Sequence, residues 1–521
     1  MRAIIPICLA ALVLVGAGAC APRPVLDPRP SMAVTADLLA ADSLVAEGCY
    51  RCLQDALVIY ERLDATGDAP AAGRRAIDVS LLLAMREREL GLGSGKALEH
   101  AVDLAGRQPA PYDVGVFLSV ADVQLWHTYG VSNERAEESM RPLRKMFRTW
   151  QGWRAELLPG TANDLLRAYF LLALDCSARP FFRDQGVEPW PLPAGAPPLL
   201  QYRAAICPGA SGDAALDALS VANPRWAEAE FFLGEAALAR LTVRTAEKHL
   251  VKALAGIPDL AAAQVLLGHV YLATEEYQMA RAAYHRANAA VPGRREAMLG
   301  EAKSASFLGR HEDAIVILDE MVRLGTWFMG ETHYWRAWNR YRLQQYDAAN
   351  DDVLASRNRL PMDGQVDKLA GFIALARNEV PRAEVEFRAA VGHIEGRGGS
   401  DCDARYYLGS AQVLQRKWAD AVPNFEAAEP CYVLTGTALR KRILDIRKSD
   451  LPDDRQDVLV AAKEKDIAAA RLQEARSAFN AGAALANLGD LEKARPCAER
   501  AAAHPELAAQ AKTILDRIGK F

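Results

Sequence analysis

Apolar residues recur at the three-and-four spacing of a buried helix face along most of this chain. Over residues 36–63 the pattern predicts a helical hairpin with its turn near Gly48, and it predicts further helices over 74–90, 114–127, 133–150 and 161–174. Leu81-Leu82-Leu83 and Phe170-Leu171-Leu172 are too short to span a bilayer and belong to a core. A proline-rich stretch, 180–198, containing Glu188-Pro189-Trp190-Pro191, interrupts the periodicity and predicts a boundary between an N-terminal helical domain and the rest of the chain.

Beyond residue 222 a longer period is superimposed on the helical one. Gly234, Ala246, Ala253 and Pro258 are answered by Gly268, Ala280, Ala287 and Pro292, each 34 residues on. A small residue where two helices cross and a proline before the next unit describe hairpins that bury their apolar faces only against neighbours. The unit from Ala261 reads Gln264, Leu267, Gly268, Tyr271, Ala280, Tyr284, Ala287 and Pro292; the unit from Ala227 reads Glu230, Leu233, Gly234, Ala237, Ala246, Leu250, Ala253 and Pro258. Both resemble the tetratricopeptide repeat (TPR), departing from it where a large residue stands near the start of the first helix.

Downstream, Ala314 and Ala348 extend the alanine series, and residues 308–314 look like the family's inter-helix turn. Further units carry Trp335 and Arg336, then Gly371/Ala383/Phe387/Ala390, then Gly409/Ala421/Phe425/Ala428, with intervals of 35 and 38 residues, and a last one carries Gly482, Ala494 and Ala501. Seven units over 223–521 imply an all-α, right-handed TPR-type solenoid preceded by the helical domain of residues 36–179 and the connection 180–222. The regular array is expected over 223–434 and a final repeat with a capping helix over 478–521. The charged helical segment between them, 435–477, has no place in the repeat template.

The resemblance also implies which positions face the concave groove. They are Phe231 and Glu235, Val265 and His269, Lys303 and Phe307, His333 and Tyr341, Lys368 and Phe372, and Tyr406 and Ser410. Phe231 and Glu235 stand where a family member that clamps a peptide carboxylate has Lys and Asn, so an apolar partner segment is expected instead. Cys402 and Cys431, at positions 1 and 30 of the sixth unit, are expected to meet at one end of that hairpin. Cys176 and Cys207 flank the proline-rich connection and are a second candidate pair. Cys49-x-x-Cys52 lacks the preceding strand of a thioredoxin-type site and reads as a structural bridge or free pair.

The chain opens with Met1-Arg2 and an apolar run to Val15, a secretory signal over 1–19. Ala17-Gly18-Ala19-Cys20 is similar to a bacterial lipobox, which would make Cys20 an acylated N-terminus on the tether 20–35 with Pro22, Pro24, Pro28 and Pro30; Ala17-x-Ala19 also fits an ordinary cleavage site. Ala21 after the cysteine resembles the outer-membrane sorting pattern, so the expected location is the outer membrane, facing the periplasm, or a soluble exported form. Removing Arg2 with the signal shifts the net charge from −4 to −5, nearly balanced for about 500 residues. With no basic block, nucleic acid is not an expected partner.

Catalytic motifs do not emerge. Gly91-Leu92-Gly93-Ser94-Gly95-Lys96 fails as a phosphate loop because Leu90 and Ala97 stand at essential positions. His269 and His285 lack further ligands, and His100 and His127 lack companions, so neither metal nor cofactor is expected. The chain reads as a non-enzymatic protein-binding scaffold or assembly factor of the bacterial envelope. Two alternatives stand beside it: a solute- or glycan-binding lipoprotein serving an outer-membrane transporter, and an envelope enzyme with its site within residues 64–222.

Overall fold

The computed structural model describes residues 32–67, 69–92, 95–107, 114–120, 140–159, 164–182, 189–207, 212–325, 329–449 and 451–519, and their regular secondary structure is entirely helical. The signal segment, Cys20, most of the tether, Gly93, Ser94 and His127 lie outside these residues.

The first two helices, Met32–Glu47 and Tyr50–Thr66, turn at Gly48, whose φ is +72° and whose added Cβ would lie 2.6 Å from that of Leu199. Only glycine meets both conditions. The helices Ala72–Glu89, Lys96–Arg107, Met140–Leu157 and Leu165–Phe182 come next, and two short ones, Pro198–Ala205 and Asp213–Ala222, lead into the array. The proline-rich stretch does not divide the molecule as the sequence suggested. One apolar core runs from Ala41 through Tyr169, Tyr202 and Trp226 to Ala297, so the N-terminal helices and the first two repeats form a single packed body. Trp190, within the proline-rich stretch, donates its backbone N–H to Asp175 at 3.1 Å. Burial pushes the Asp175 carboxyl up to about 6, against the pull of Arg154.

A buried polar cluster sits in this junction. Glu228, at the start of the first repeat, accepts the backbone N–H of Tyr50 at 2.6 Å and the Arg86 guanidinium. Arg86 lies 3.7 Å from the centre of the Tyr202 ring, and Arg203 lies 3.2 Å from Glu89, which also accepts the Tyr169 hydroxyl. Two arginines thus face two carboxylates, all buried.

Seven hairpins stack from residue 227 onward. Their first helices (A) are Ala227–Ala239, Ala261–Ala273, Arg295–Phe307, Met329–Arg342, Gly364–Ala376, Cys402–Leu414 and the end of Asp453–Leu488. Each A-helix ends in a left-handed residue: Leu241, Glu275, Gly309, Gln344, Asn378, Arg416 and Gly489. The next residue donates its N–H back to the carbonyl five positions upstream at 2.8–3.0 Å, as in Thr242 to Ala237 and Lys417 to Gln412. This Schellman closure satisfies the orphan carbonyls and sets the angle of the second helix (B).

The A-helix then crosses B through a small residue. Tyr284, fully buried, is flanked by Gly268 and Gly300, and an added Cβ at Gly268 would lie 2.6 Å from its ring. Between the third and fourth turns the interval is 35 residues, so the buried equivalent of Ala314 is Ala349, not Ala348.

The sixth B-helix does not stop where a repeat would. Trp418–Arg447 runs for 30 residues, and Asp453–Leu488 returns over 36 to become the seventh A-helix, followed by Leu491–Ala502 and the closing helix Ala508–Ile518. Cys402–Cys431, Cys176–Cys207 and Cys49–Cys52 are bonded, with Cα atoms 5.5, 5.1 and 4.9 Å apart. Cys49 and Cys52 are fully buried, out of reach of a thiol partner. Cys497 is free and buried beside Gly482.

Candidate functional site

The A-helices line one surface of the stack, and their outward positions decide what that surface offers. At its start the groove is already filled: Phe231 and Val265 are buried in the core shared with the N-terminal helices and present no contact face. One turn along, Glu235 and His269 are solvent-exposed. Desolvation nevertheless raises the Glu235 carboxyl. It also lowers His269, whose ring faces Glu296, Lys303 and Arg294 of the next unit. Solvent access combined with desolvation describes a concave wall, where protein surrounds a group without covering it.

Lys303 ion-pairs with Glu331 and lies 5.9 Å from the Trp335 ring. Lys368 pairs with Asp401 at 2.6 Å. Both lysines join one A-helix to the beginning of the next, which fixes the pitch of the stack and removes them as free charges for a ligand. Ser410 donates to the Tyr406 carbonyl of its own helix at 2.9 Å.

His333 is corrected by the 35-residue step. The slip turns it inward, where Nδ1 lies 3.1 Å from Asp352, a carboxylate also held by Arg336 and Arg340. The groove positions of the fourth unit belong instead to Glu331, Tyr334 and Trp338. Counting back from the left-handed turn residue, not forward from the alanine series, locates them. With Trp335, Leu360, Asp363, Gln365 and Val366, Glu331 and Tyr334 line a cavity of 430 Å³. The Tyr334 hydroxyl is pushed up to about 12 by burial and by Asp363 and Asp401.

Aromatic rings connect these units. Phe307, half exposed, stacks on Tyr277 at 4.6 Å and meets the edge of Trp335 at 5.3 Å. Farther on, Tyr341 stacks on Phe372 at 6.1 Å, Phe372 meets Tyr407 at 4.8 Å, and Tyr406 meets Tyr407 at 5.2 Å and Phe425 at 5.6 Å. Phe372 also packs on the buried Phe387 at 5.3 Å, so it serves core and surface together. Tyr406 accepts from Asn480 of the seventh A-helix at 3.1 Å.

Among the described residues no group of three or more His, Cys, Asp or Glu is placed to hold a metal, and no helix is long and apolar enough to cross a membrane.

No family profile and no curated protein matches the chain. Solved structures that are similar in part include YrrB, a TPR protein with an unusual peptide-binding site (17% identity, 34% of this chain and 91% of that one, TM-score 0.31). Two others are PilW, a type IV pilus biogenesis factor (14%, 40% and 91%, TM-score 0.34), and the Cut9–Hcn1 hetero-tetramer of the APC/C (14%, 93% and 96%, TM-score 0.38). Among the described residues the chain's own seven inter-helix turns and helix crossings make an all-α solenoid of TPR-type hairpins.

Proposed function

We propose that this chain is a non-enzymatic scaffold of the bacterial cell envelope that seats an apolar, extended or helical segment of another protein in its concave groove. The observation that carries the reading is the aromatic series on successive A-helices, Phe307, Tyr334, Trp338, Phe372 and Tyr406. Aromatic rings give large contact area at low entropic cost, and the groove lysines, already paired, leave that area as the main source of affinity. The lipobox-like Ala17-Gly18-Ala19-Cys20 and the proline-rich tether support anchoring in the outer membrane through an acylated Cys20. Against a loop-built solute pocket stands Trp190, whose backbone is held by Asp175 and whose side chain packs against the shared core.

The test is capture from detergent-solubilised envelopes with the mature chain and with Phe307→Glu/Tyr334→Glu, chosen because neither ring sits under the buried Phe387. Helical content should be unchanged by circular dichroism, and one protein should be enriched with the unsubstituted chain and lost with the variant. Equal capture by both ends the groove reading. Cys20→Ser should move the protein to the soluble fraction, and retention in membranes would remove the anchor.

A further inference from the structure

The hairpin of Trp418–Arg447 and Asp453–Leu488 is longer than any repeat requires. At 1.5 Å per residue its arms measure about 45 and about 54 Å, against about 20 Å for a 13-residue A-helix. Its far end returns to the beginning of the array.

Arg455 donates to Glu247 at 2.9 Å and to Glu276 at 2.8 Å. Lys463 pairs with Glu275, and also with Asp466 of its own helix at 2.6 Å. Arg442 donates to the Ala273 carbonyl at 3.0 Å and lies 3.4 Å from Glu275. Glu275 and Glu276 belong to the inter-helix turn of the second repeat, and Glu247 to the second turn of the B-helix in the first. The sixth and seventh repeats are thereby tied to the first and second along one rim.

The character of this contact differs from the packing elsewhere. It is made by charged side chains at the ends of long stems. A gap of 380 Å³ remains beside it, lined by Leu241, Thr242, Arg244, Thr274, Ile446 and Leu451 among others. Leu241, which a packed interface would cover, is 82% exposed. The outer pair, Arg442 and Glu275, is open to solvent and to salt, whereas Lys463 and Glu276 are nearly buried and screened less, and with the gap beside them the seam separates without breaking an apolar core.

The contact also lies beside Tyr277, the ring on which Phe307, first of the aromatic series, stacks. Arg455 lies 5.8 Å from the Tyr271 ring, the Tyr277 hydroxyl feels both Lys463 and Arg442, and Phe307 stacks on Tyr277.

We propose that this hairpin is a strap that closes the array into a ring, latched by Arg442, Arg455 and Lys463 on Glu247, Glu275 and Glu276, and that release of the latch admits a partner segment to the groove from the side. The latch holds whatever the groove binds, and its state is readable without a partner, so this inference and the scaffold reading fail separately.

The experiment measures the distance between spin labels on Val251→Cys and Lys448→Cys, both exposed positions, in the full mature chain with its native pairs oxidised. At low salt a single narrow, short distribution is expected, broadening to longer distances at high salt. Arg442→Glu/Arg455→Glu lies wholly on the strap; it should give the long, broad distribution at every salt concentration with unchanged helical content. A narrow short distribution that survives both salt and these substitutions overturns the latch. A distribution that shifts with protein concentration overturns closure within one molecule, because the strap then reaches a second copy.

Discussion

One large apolar core extends from Ala41 to Ala297, with two small clusters beside it, whereas beyond residue 297 the core breaks into patches of one or two hairpins each: Met298–Met321, Ala337–Ile373, Ala374–Ala411 and Ala421–Ile518. The two regions use charge differently as well. The first buries two arginines and two carboxylates completely, at the seam between the N-terminal helices and the first repeat. In the second, buried carboxylates such as Asp352 are held by arginines that keep contact with solvent, and pairs such as Lys368–Asp401 and Arg336–Asp319 link one unit to the next. Buried charges make the first region cooperative, because no member can be lost alone; pairs between units leave the second region stable only to the extent that neighbours stack.

The largest effect expected from this difference is at Glu228. Glu228→Ala leaves the buried Arg86 and Arg203 facing Glu89 alone, an uncompensated buried charge that should cost about 3–5 kcal/mol. Denaturant unfolding followed by hydrogen exchange should show the helices of residues 32–89 and those of the first two repeats losing protection together. If only the first repeat loosens, the shared core is not one cooperative unit.

Gly268→Leu tests the other end of the same boundary. The new side chain would meet the Tyr284 ring, which Gly300 confines from the far side, so overpacking should cost about 1–3 kcal/mol or more. The damage should spread one unit into the array, to the helices around Gly300, and leave protection in the fifth and sixth repeats intact. Loss of protection through the whole array would mean that the repeats are not nearest-neighbour units.

What could be read from the sequence obeys the same division. The array was legible because each repeat repeats its physics: a small residue at the crossing, alanines at the buried B-helix positions and a turn of fixed length. The groove was less so, because one added residue between the third and fourth units moved His333 inward and Tyr334 outward, and periodic counting cannot detect a slip that the alanines Ala348 and Ala349 both satisfy. The burial of Phe231 and Val265 was invisible because it depends on helices distant in sequence. The strap escaped for the same reason: Arg455 and Lys463 follow no repeat, and their partners lie about two hundred residues upstream.

The smallest effect separates a free turn from a latched one. Gln344 and Glu275 hold equivalent left-handed positions, with φ of 60° and 65°. A side chain there costs about 1–2 kcal/mol, and glycine's greater freedom in the unfolded chain returns about 0.5–1 kcal/mol of that, so Gln344→Gly should raise stability by roughly 0.5 kcal/mol. Glu275→Gly gains the same relief in its backbone but removes the carboxylate that Lys463 and Arg442 share. Lys463, almost fully buried, then keeps only Asp466. Chemical denaturation of the two variants should therefore diverge, with Gln344→Gly shifted up and Glu275→Gly unchanged or shifted down, and high salt should narrow the gap by weakening the latch in the unsubstituted chain. Equal stabilisation at both positions would mean that the second repeat bears no load from the strap.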